Sequence, residues 1–341
     1  MKLNGQFFSR CGARNARNHR VSFAIASLAL FAAGSVLNSQ ANSATLYTEN
    51  FDDGNASSRW TTVTSGPVSS ADFAFDYTSV LDFAGNPIGV PQTGQTTHTG
   101  LKLAANTGST PGSGTIAGIN AYANSLNLTT SVVMTFDMYA HFTDTGFGST
   151  NYGTYGFYHS TQTGTFNSLG PVATSGYWFT NSSDNGTSSA MRALEVGTQD
   201  NTAARYLDVS QNPGAVTSVT YQSLFPDQDG AGGFSQAGYV LNRWVNVRLT
   251  RDMTSGLVKW EMKNPNDANY TTIYSVIDAT QTQNSGTITL GMTDPFASLS
   301  GPNTYFLYDN VAVSEIPEPA SLTILGIAMA GFLGVRRRIA R

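Results

Sequence analysis

The segment 244–263, WVNVRLTRDMTSGLVKWEMK, decides the fold class. Val245, Val247 and Leu249 fall on one side of a period-two alternation, and Asn246, Arg248 and Thr250 on the other. Only an extended chain sends successive side chains to opposite faces, so the pattern predicts a strand with one buried face. Thr254-Ser255-Gly256 interrupts it, and Val258, Trp260 and Met262 then resume the alternation. Two such runs across a short polar turn predict an antiparallel hairpin.

The same signature recurs on both sides of this hairpin. Strands are predicted at 46–51, 73–77, 101–105, 132–142, 155–159, 176–179, 190–196, 216–221, 273–277, 286–291 and 305–314. Between them lie loops rich in Gly, Ser, Thr and Asn, such as 106–113 and 180–189. Amphipathic helical periodicity is nearly absent, and no repeat or composition shift divides residues 45–316. The expected fold is all-β: a single antiparallel β-sandwich of the jelly-roll kind, flanked by an N-terminal signal peptide and a C-terminal transmembrane helix.

Charge separates the ends from the body. The whole chain of 341 residues carries a formal net charge of −4, but residues 45–316 hold 9 basic against 21 acidic residues, a net of −12. Such a body cannot neutralise a run of phosphates, which excludes a nucleic-acid partner. Lys2, Arg10, Arg14, Arg17 and Arg20 precede the uncharged run 21–37, VSFAIASLALFAAGSVL. Basic residues, an apolar run and then small residues are the order of a secretory signal, with cleavage by signal peptidase after Ala41 or Ala44. The length of the run also fits a retained anchor helix. Cys11, the sole cysteine, lies before the apolar run and so on the wrong side of it for lipidation; the body is left without a thiol.

At the other end, Pro317-Glu318-Pro319 precedes sixteen uncharged residues, 320–335, and then Arg336-Arg337-Arg338. A helix of that length is about 24 Å long, short of a hydrocarbon core of about 30 Å, and spans it with snorkelling arginines or local thinning. The arginines stay cytoplasmic and the body faces outward. A plain tail anchor has the same outline. The combination of proline-glutamate-proline, short span and arginine cluster closely resembles the PEP-CTERM sorting signal of Gram-negative, exopolysaccharide-producing bacteria, over residues 317–341. The resemblance implies that Pro317, Glu318 and Pro319, with Arg336, Arg337 and Arg338, are read by a membrane-embedded exosortase. That enzyme cleaves near the motif, so the chain is its substrate and is delivered to the cell surface or extracellular matrix. The two prolines hold the segment extended, which leaves its backbone accessible to processing.

A second resemblance covers most of 46–314. Glu49-Asn50-Phe51-Asp52-Asp53-Gly54 with Trp60, the Trp244 strand with its hairpin, and Phe306-Leu307-Tyr308-Asp309-Asn310-Val311 look like the ends and back sheet of concanavalin A-like and laminin G-like jelly rolls. The resemblance implies that the first and last strands pair side by side.

If they do, Glu49, Asp52, Asp53 and Asp309 could place several oxygens around one structural Ca²⁺; alternatively Asp52-Asp53-Gly54 is a turn whose side chains cap their own backbone. Asp227-Gln228-Asp229-Gly230 offers alternate carboxylates but lacks the remaining ligands of a calcium loop. The Glu-x-Asp-x-x-Glu run that glucanases of this fold carry is missing: Glu195 has no aspartate two residues on, and Glu261 is followed there by Lys263. Nucleophile, phosphate-loop and dinucleotide motifs are likewise missing. His19, His98, His141 and His159 have no ligand-like spacing. Aromatics remain: Tyr139, Tyr155, Tyr158 and Trp178, clustered along the chain between Gly-rich loops, are candidates for stacking on a sugar beside Asn and Asp groups, or else core and loop plugs. The expectation is an exported, non-enzymatic surface or matrix protein, with a polysaccharide-binding module as the alternative and a divergent hydrolase behind it.

Overall fold

The computed structural model describes residues 43–317 apart from 67, 83, 93, 108–115, 143–150, 173, 184–186, 188–190, 196–206, 209–215, 227–236 and 296–303. The segment 1–42, Glu318, Pro319, the apolar run 320–335 and Arg336, Arg337 and Arg338 lie outside these residues, as does the acidic loop 227–230. Among the described residues no helix is long and apolar enough to cross a membrane.

Along the chain the strands begin with β1 (Thr45–Glu49), β2 (Trp60–Ser65), β3 (Ser69–Asp76), β4 (Thr99–Ala105), β5 (Ala117–Ala123) and β6 (Val132–Phe142). They continue with β7 (Tyr152–His159), β8 (Phe166–Asn167), β9 (Gly170–Pro171), β10 (Tyr177–Ser182), β11 (Met191–Glu195) and β12 (Leu207–Asp208). The last are β13 (Trp244–Asp252), β14 (Leu257–Lys263), β15 (Thr271–Ile277), β16 (Thr287–Asp294) and β17 (Thr304–Glu315). One sheet runs β15-β14-β13-β6-β17-β4-β3 with β1 also on β17, and the second runs β12-β11-β10-β7-β16-β5-β2. Every strand pair in both is antiparallel. The β domain runs from Ser43 to Ile316.

The alternation of the diagnostic segment is what welds the two sheets. Val245, Val247, Leu249, Val258, Trp260 and Met262 all point into the shared core. Trp260, fully buried, lies 5.8 Å from the ring of Tyr155 and 5.4 Å from that of Phe179, both on the opposite sheet. The hairpin turn is held by Asp252, whose carboxylate accepts from the Thr254 amide (2.9 Å) and the Ser255 hydroxyl (2.6 Å). The Ser255 hydrogen bond is the leading cause that lowers the Asp252 pKa. Gly256 closes the turn at φ +77, a left-handed conformation that a side chain would strain.

The first and last strands pair as the jelly-roll resemblance implied. Tyr47, Thr48 and Glu49 face Val313, Ala312 and Val311, and the Glu315 amide donates to the carbonyl of Ala44 (2.8 Å). The domain therefore closes at Glu315, immediately before the proline-glutamate-proline segment.

One predicted strand is a helix. Residues 216–221 are expected to be extended, four of the six being β-branched. Instead Ser218–Leu224 is helical, with the Thr217 hydroxyl accepting from the Thr220 amide (3.2 Å) as an N-cap. Tyr221, Leu224 and Phe225, at helical spacing, then reach the core together, leaving Val219 exposed. Strands β2 and β5 escape the alternation rule. Every residue of Ala117–Ala123 is buried, because β5 has the core on one face and a covering loop on the other, so no polar face marks it.

Candidate functional site

The carboxylates read as a possible Ca²⁺ site are not brought to one point. Arg59 takes two of them: its Nε and Nη2 donate to Glu49 (2.6 and 2.8 Å), and its Nη1 and Nη2 donate to Asp53 (2.8 and 2.9 Å). The guanidinium hydrogen bond lowers the Asp53 pKa. Asp52 Oδ1 accepts from the Thr99 hydroxyl (3.0 Å), and the Asn55 amide donates to Asp53 (2.9 Å) in an Asx turn. A cation supplied by the chain itself thus takes two of the four expected ligands. Among the described residues no group of three or more His, Cys, Asp or Glu side chains could hold a metal ion.

The four rings read as sugar platforms are buried, with exposures of 0–4%. Tyr155 packs against Phe136 (5.0 Å) in the core, and Tyr158 donates from its hydroxyl to the carbonyl of Thr130. Trp178 lies on the outer face of the second sheet against His159 (4.2 Å) and Tyr122 (6.3 Å). That face is covered by the chain between β7 and β10: Asn120 Nδ2 donates to the Thr163 carbonyl (3.0 Å), and the Thr163 amide donates to the Tyr122 hydroxyl (3.0 Å). Tyr139 lies on the outer face of the first sheet between Trp244 (5.4 Å) and His141 (6.4 Å), and Tyr77 packs in turn on Trp244 (5.3 Å). A ring enclosed on its faces has no surface to offer a ligand, so stacking at these four positions is ruled out in this conformation. Burial also pushes His159 down to about 3, so its ring is neutral, with Nδ1 donating to the Ser175 carbonyl (2.9 Å).

What the fold assembles instead is a polar patch on the outer face of the first sheet. Strands β13, β6 and β17 lie side by side, and the register pairs Asn246 with Asp137 and Asp137 with Asp309. All three side chains alternate with core residues and so emerge on the same face. A bulge after Asp309, with Asn310 at φ 51, turns Asn310 onto this face as well. The chain between β3 and β4 then crosses above and contributes Gln92 and Gln95.

The two aspartates differ in access. Asp137 accepts from Asn310 Nδ2 (2.7 Å), Gln92 Nε2 (2.9 Å) and Asn246 Nδ2. Asp309 is wholly buried and accepts from Gln95 Nε2 (2.8 Å), the Asn310 amide (2.7 Å) and the Tyr77 hydroxyl (3.3 Å). Burial raises the pKa of both carboxyls above the ordinary range. For Asp309 the value reaches about 7, with the Asp137 and Asp52 charges adding to the burial effect.

A cavity of about 310 Å³ opens beside Asp137, lined among others by Gln92, Asn246, Lys263, Tyr270 and Asn310. A second, of about 440 Å³, is lined by Val90, Pro91, Arg243, Trp244, Asn264 and Asn266. Pro265 belongs to both, and the consecutive residues Pro91 and Gln92 line one each. Sequence reading missed this region because its amides are scattered over four segments. The available signals were Asp309, singled out there for a different set of partners, and Asn246, on the polar side of the strand that decided the fold.

A protein-family profile described as the PEP-CTERM protein-sorting motif matches residues 315–338. The chain carries a PEP-CTERM sorting motif. The motif begins at Glu315, the last residue of β17, so the sorting segment starts where the sandwich ends. No curated protein matches the chain. Among solved structures the chain is similar to the carbohydrate recognition domain of Emp46p in its potassium-bound form, at 12% identity and TM-score 0.42, covering 80% of this chain and 97% of that one. It is also similar to the exoplasmic/lumenal domain of VIP36 bound to Ca²⁺ and Man3GlcNAc, at 6% identity and TM-score 0.38, covering 66% and 84%. A legume lectin-like domain from Entamoeba histolytica is similar at 10% identity and TM-score 0.39, covering 78% and 94%.

Proposed function

We propose that this chain is a non-enzymatic protein exported by a Gram-negative bacterium, processed by an exosortase at its PEP-CTERM motif, and displayed at the cell surface or in the extracellular matrix. The observation that carries this reading is the motif match over 315–338, which starts at the closing residue of an acidic β domain. Glu318 is a recognition group for the processing enzyme and has no catalytic role. Replacing Glu318 by Ala is expected to leave the β domain folded and to abolish tail removal in a host with an active exosortase. Mass spectrometry of protein recovered from envelope and medium reads both processed ends; unchanged cleavage of the variant would refute the reading.

The domain's own activity is carbohydrate binding, favoured by the amide-rich cavities beside Asp137. Hydrolysis is disfavoured by the placement of the carboxylates. A glycosidase needs two carboxyl groups flanking the scissile bond. Asp309 is sealed beneath Gln95 and Tyr77, and Glu261 is neutralised by Arg248 (2.7 Å) and Lys259 (2.6 Å). Glu195 lies on the other sheet.

A further inference from the structure

Two cavities, on the same face and with Pro265 in the wall of each, follow the course of β13. Trp244 lines one and Asn246 the other; two residues apart on one strand face, they are separated by about 6.8 Å. The walls are the 90–92 segment on one side and the turn after β14 on the other, from Asn264 to Asn266 with Tyr270 beyond. Amides and a carboxylate predominate among the polar groups, and the apolar walls are Trp244, Tyr270, Pro91 and Pro265. Together the cavities form a groove long enough for two rings, each part within the size range of small-molecule sites.

The first part is preorganised. Asn246 and Asn310 are fixed by the strands and grip Asp137 from two sides, so the carboxylate is held in place while a ligand group takes over its third hydrogen bond. The third donor, Gln92, is an exposed side chain on the covering segment. It shares Asp137 Oδ2 with Asn310 Nδ2, and a ligand hydroxyl can replace it one for one. The cations in the groove walls, Lys263 and Arg243, are held by the carbonyls of Asp267 (2.9 Å) and Pro226 (2.6 Å), and Arg248 is paired with Glu261 beside the Tyr270 ring. With a net charge of −12 on residues 45–316, an acidic ligand meets repulsion here.

Resting on the carbohydrate-binding reading, we propose that this groove is its site and that it takes a neutral oligosaccharide of at least two rings. One ring's hydroxyls displace Gln92 from Asp137 and lie against Tyr270; the next lies over Pro265 against Asn264 and Asn266. Nothing in the groove needs a metal ion.

The test uses the full chain in a sugar-free detergent, screened on an array of neutral and uronate-containing oligosaccharides. Calorimetry with the best-retained disaccharide follows. Asp137→Asn and Tyr270→Ala are each expected to weaken Kd about tenfold or more, with the Tyr270 variant keeping its thermal melt, the Asp137 variant melting lower but still folded at the assay temperature, and no effect of chelator. Should Asp137→Asn fail to fold, Tyr270→Ala carries the test, because Tyr270 lines the groove without taking part in the Asp137 hydrogen bonds. Retention of a neutral oligosaccharide that none of these substitutions weakens overturns the groove while leaving the carbohydrate reading intact. Preference for uronates overturns the neutral ligand class, and retention of no glycan overturns both the groove and the reading beneath it.

Discussion

Asp309 makes the stability of the β domain fall as pH rises. Its carboxyl has an ordinary value of 3.8 and reaches about 7 in the fold, because burial disfavours the charged form and the Asp137 and Asp52 charges add to that effect. Below 3.8 the group is protonated in both folded and unfolded chains, and its contribution is complete. Between 3.8 and about 7 the unfolded chain has released the proton and the folded chain still holds it, so stability is lost as pH rises; above about 7 the loss is complete. At 1.36 kcal/mol per pH unit the gap corresponds to about 4 kcal/mol, a large fraction of the stability of a typical domain. Asp309→Asn removes the step. Asp137 titrates in both proteins, so the difference between their stability curves reports Asp309 together with its coupling to Asp137. Urea unfolding of wild type and variant from pH 4 to pH 8 should show the variant gaining about 4 kcal/mol relative to wild type across that range. Parallel curves, or a wild type that gains on the variant as pH rises, would mean that the carboxyl is ionised in the fold and that its burial does not dominate.

Two further predictions concern packing. Trp260→Ala removes a fully buried ring from between Tyr155 and Phe179, and should lower stability by about 3–5 kcal/mol in urea unfolding, with an unchanged m value. A loss below about 1 kcal/mol would show that the two sheets do not meet there. Gly286 stands at φ +135, and a Cβ on it would lie 2.3–2.6 Å from the backbone of His159, so Gly286→Ala should abolish soluble expression or shift the melt by many degrees. A melt within a degree or two of wild type would contradict the close approach of β16 to the end of β7.

Legibility followed exposure. The hairpin at 244–263 could be read because β13 and β14 have one face in the core and one in contact with solvent or polar groups, which writes the period of two into the sequence. The helix at Ser218–Leu224 was masked by its β-branched residues, and only the Thr217 cap betrays it. Asp309 and Glu49 were both singled out as candidates, yet they serve different local structures. A sequence cannot show that Arg59, ten residues after Glu49, reaches back between Glu49 and Asp53.

The sequence alone determined the all-β class, the acidic body and the sorting motif at the C-terminus, since each rests on local periodicity, composition or a contiguous motif. The tertiary structure alone decided which polar residues meet. Asp137, Asn246 and Asn310 are separated by more than a hundred residues in one direction and by more than sixty in the other, and they become neighbours only because β6 is inserted between β13 and β17. It also decided that the aromatic residues belong to the core and to the covered faces, because a side chain's burial depends on what the rest of the chain lays over it.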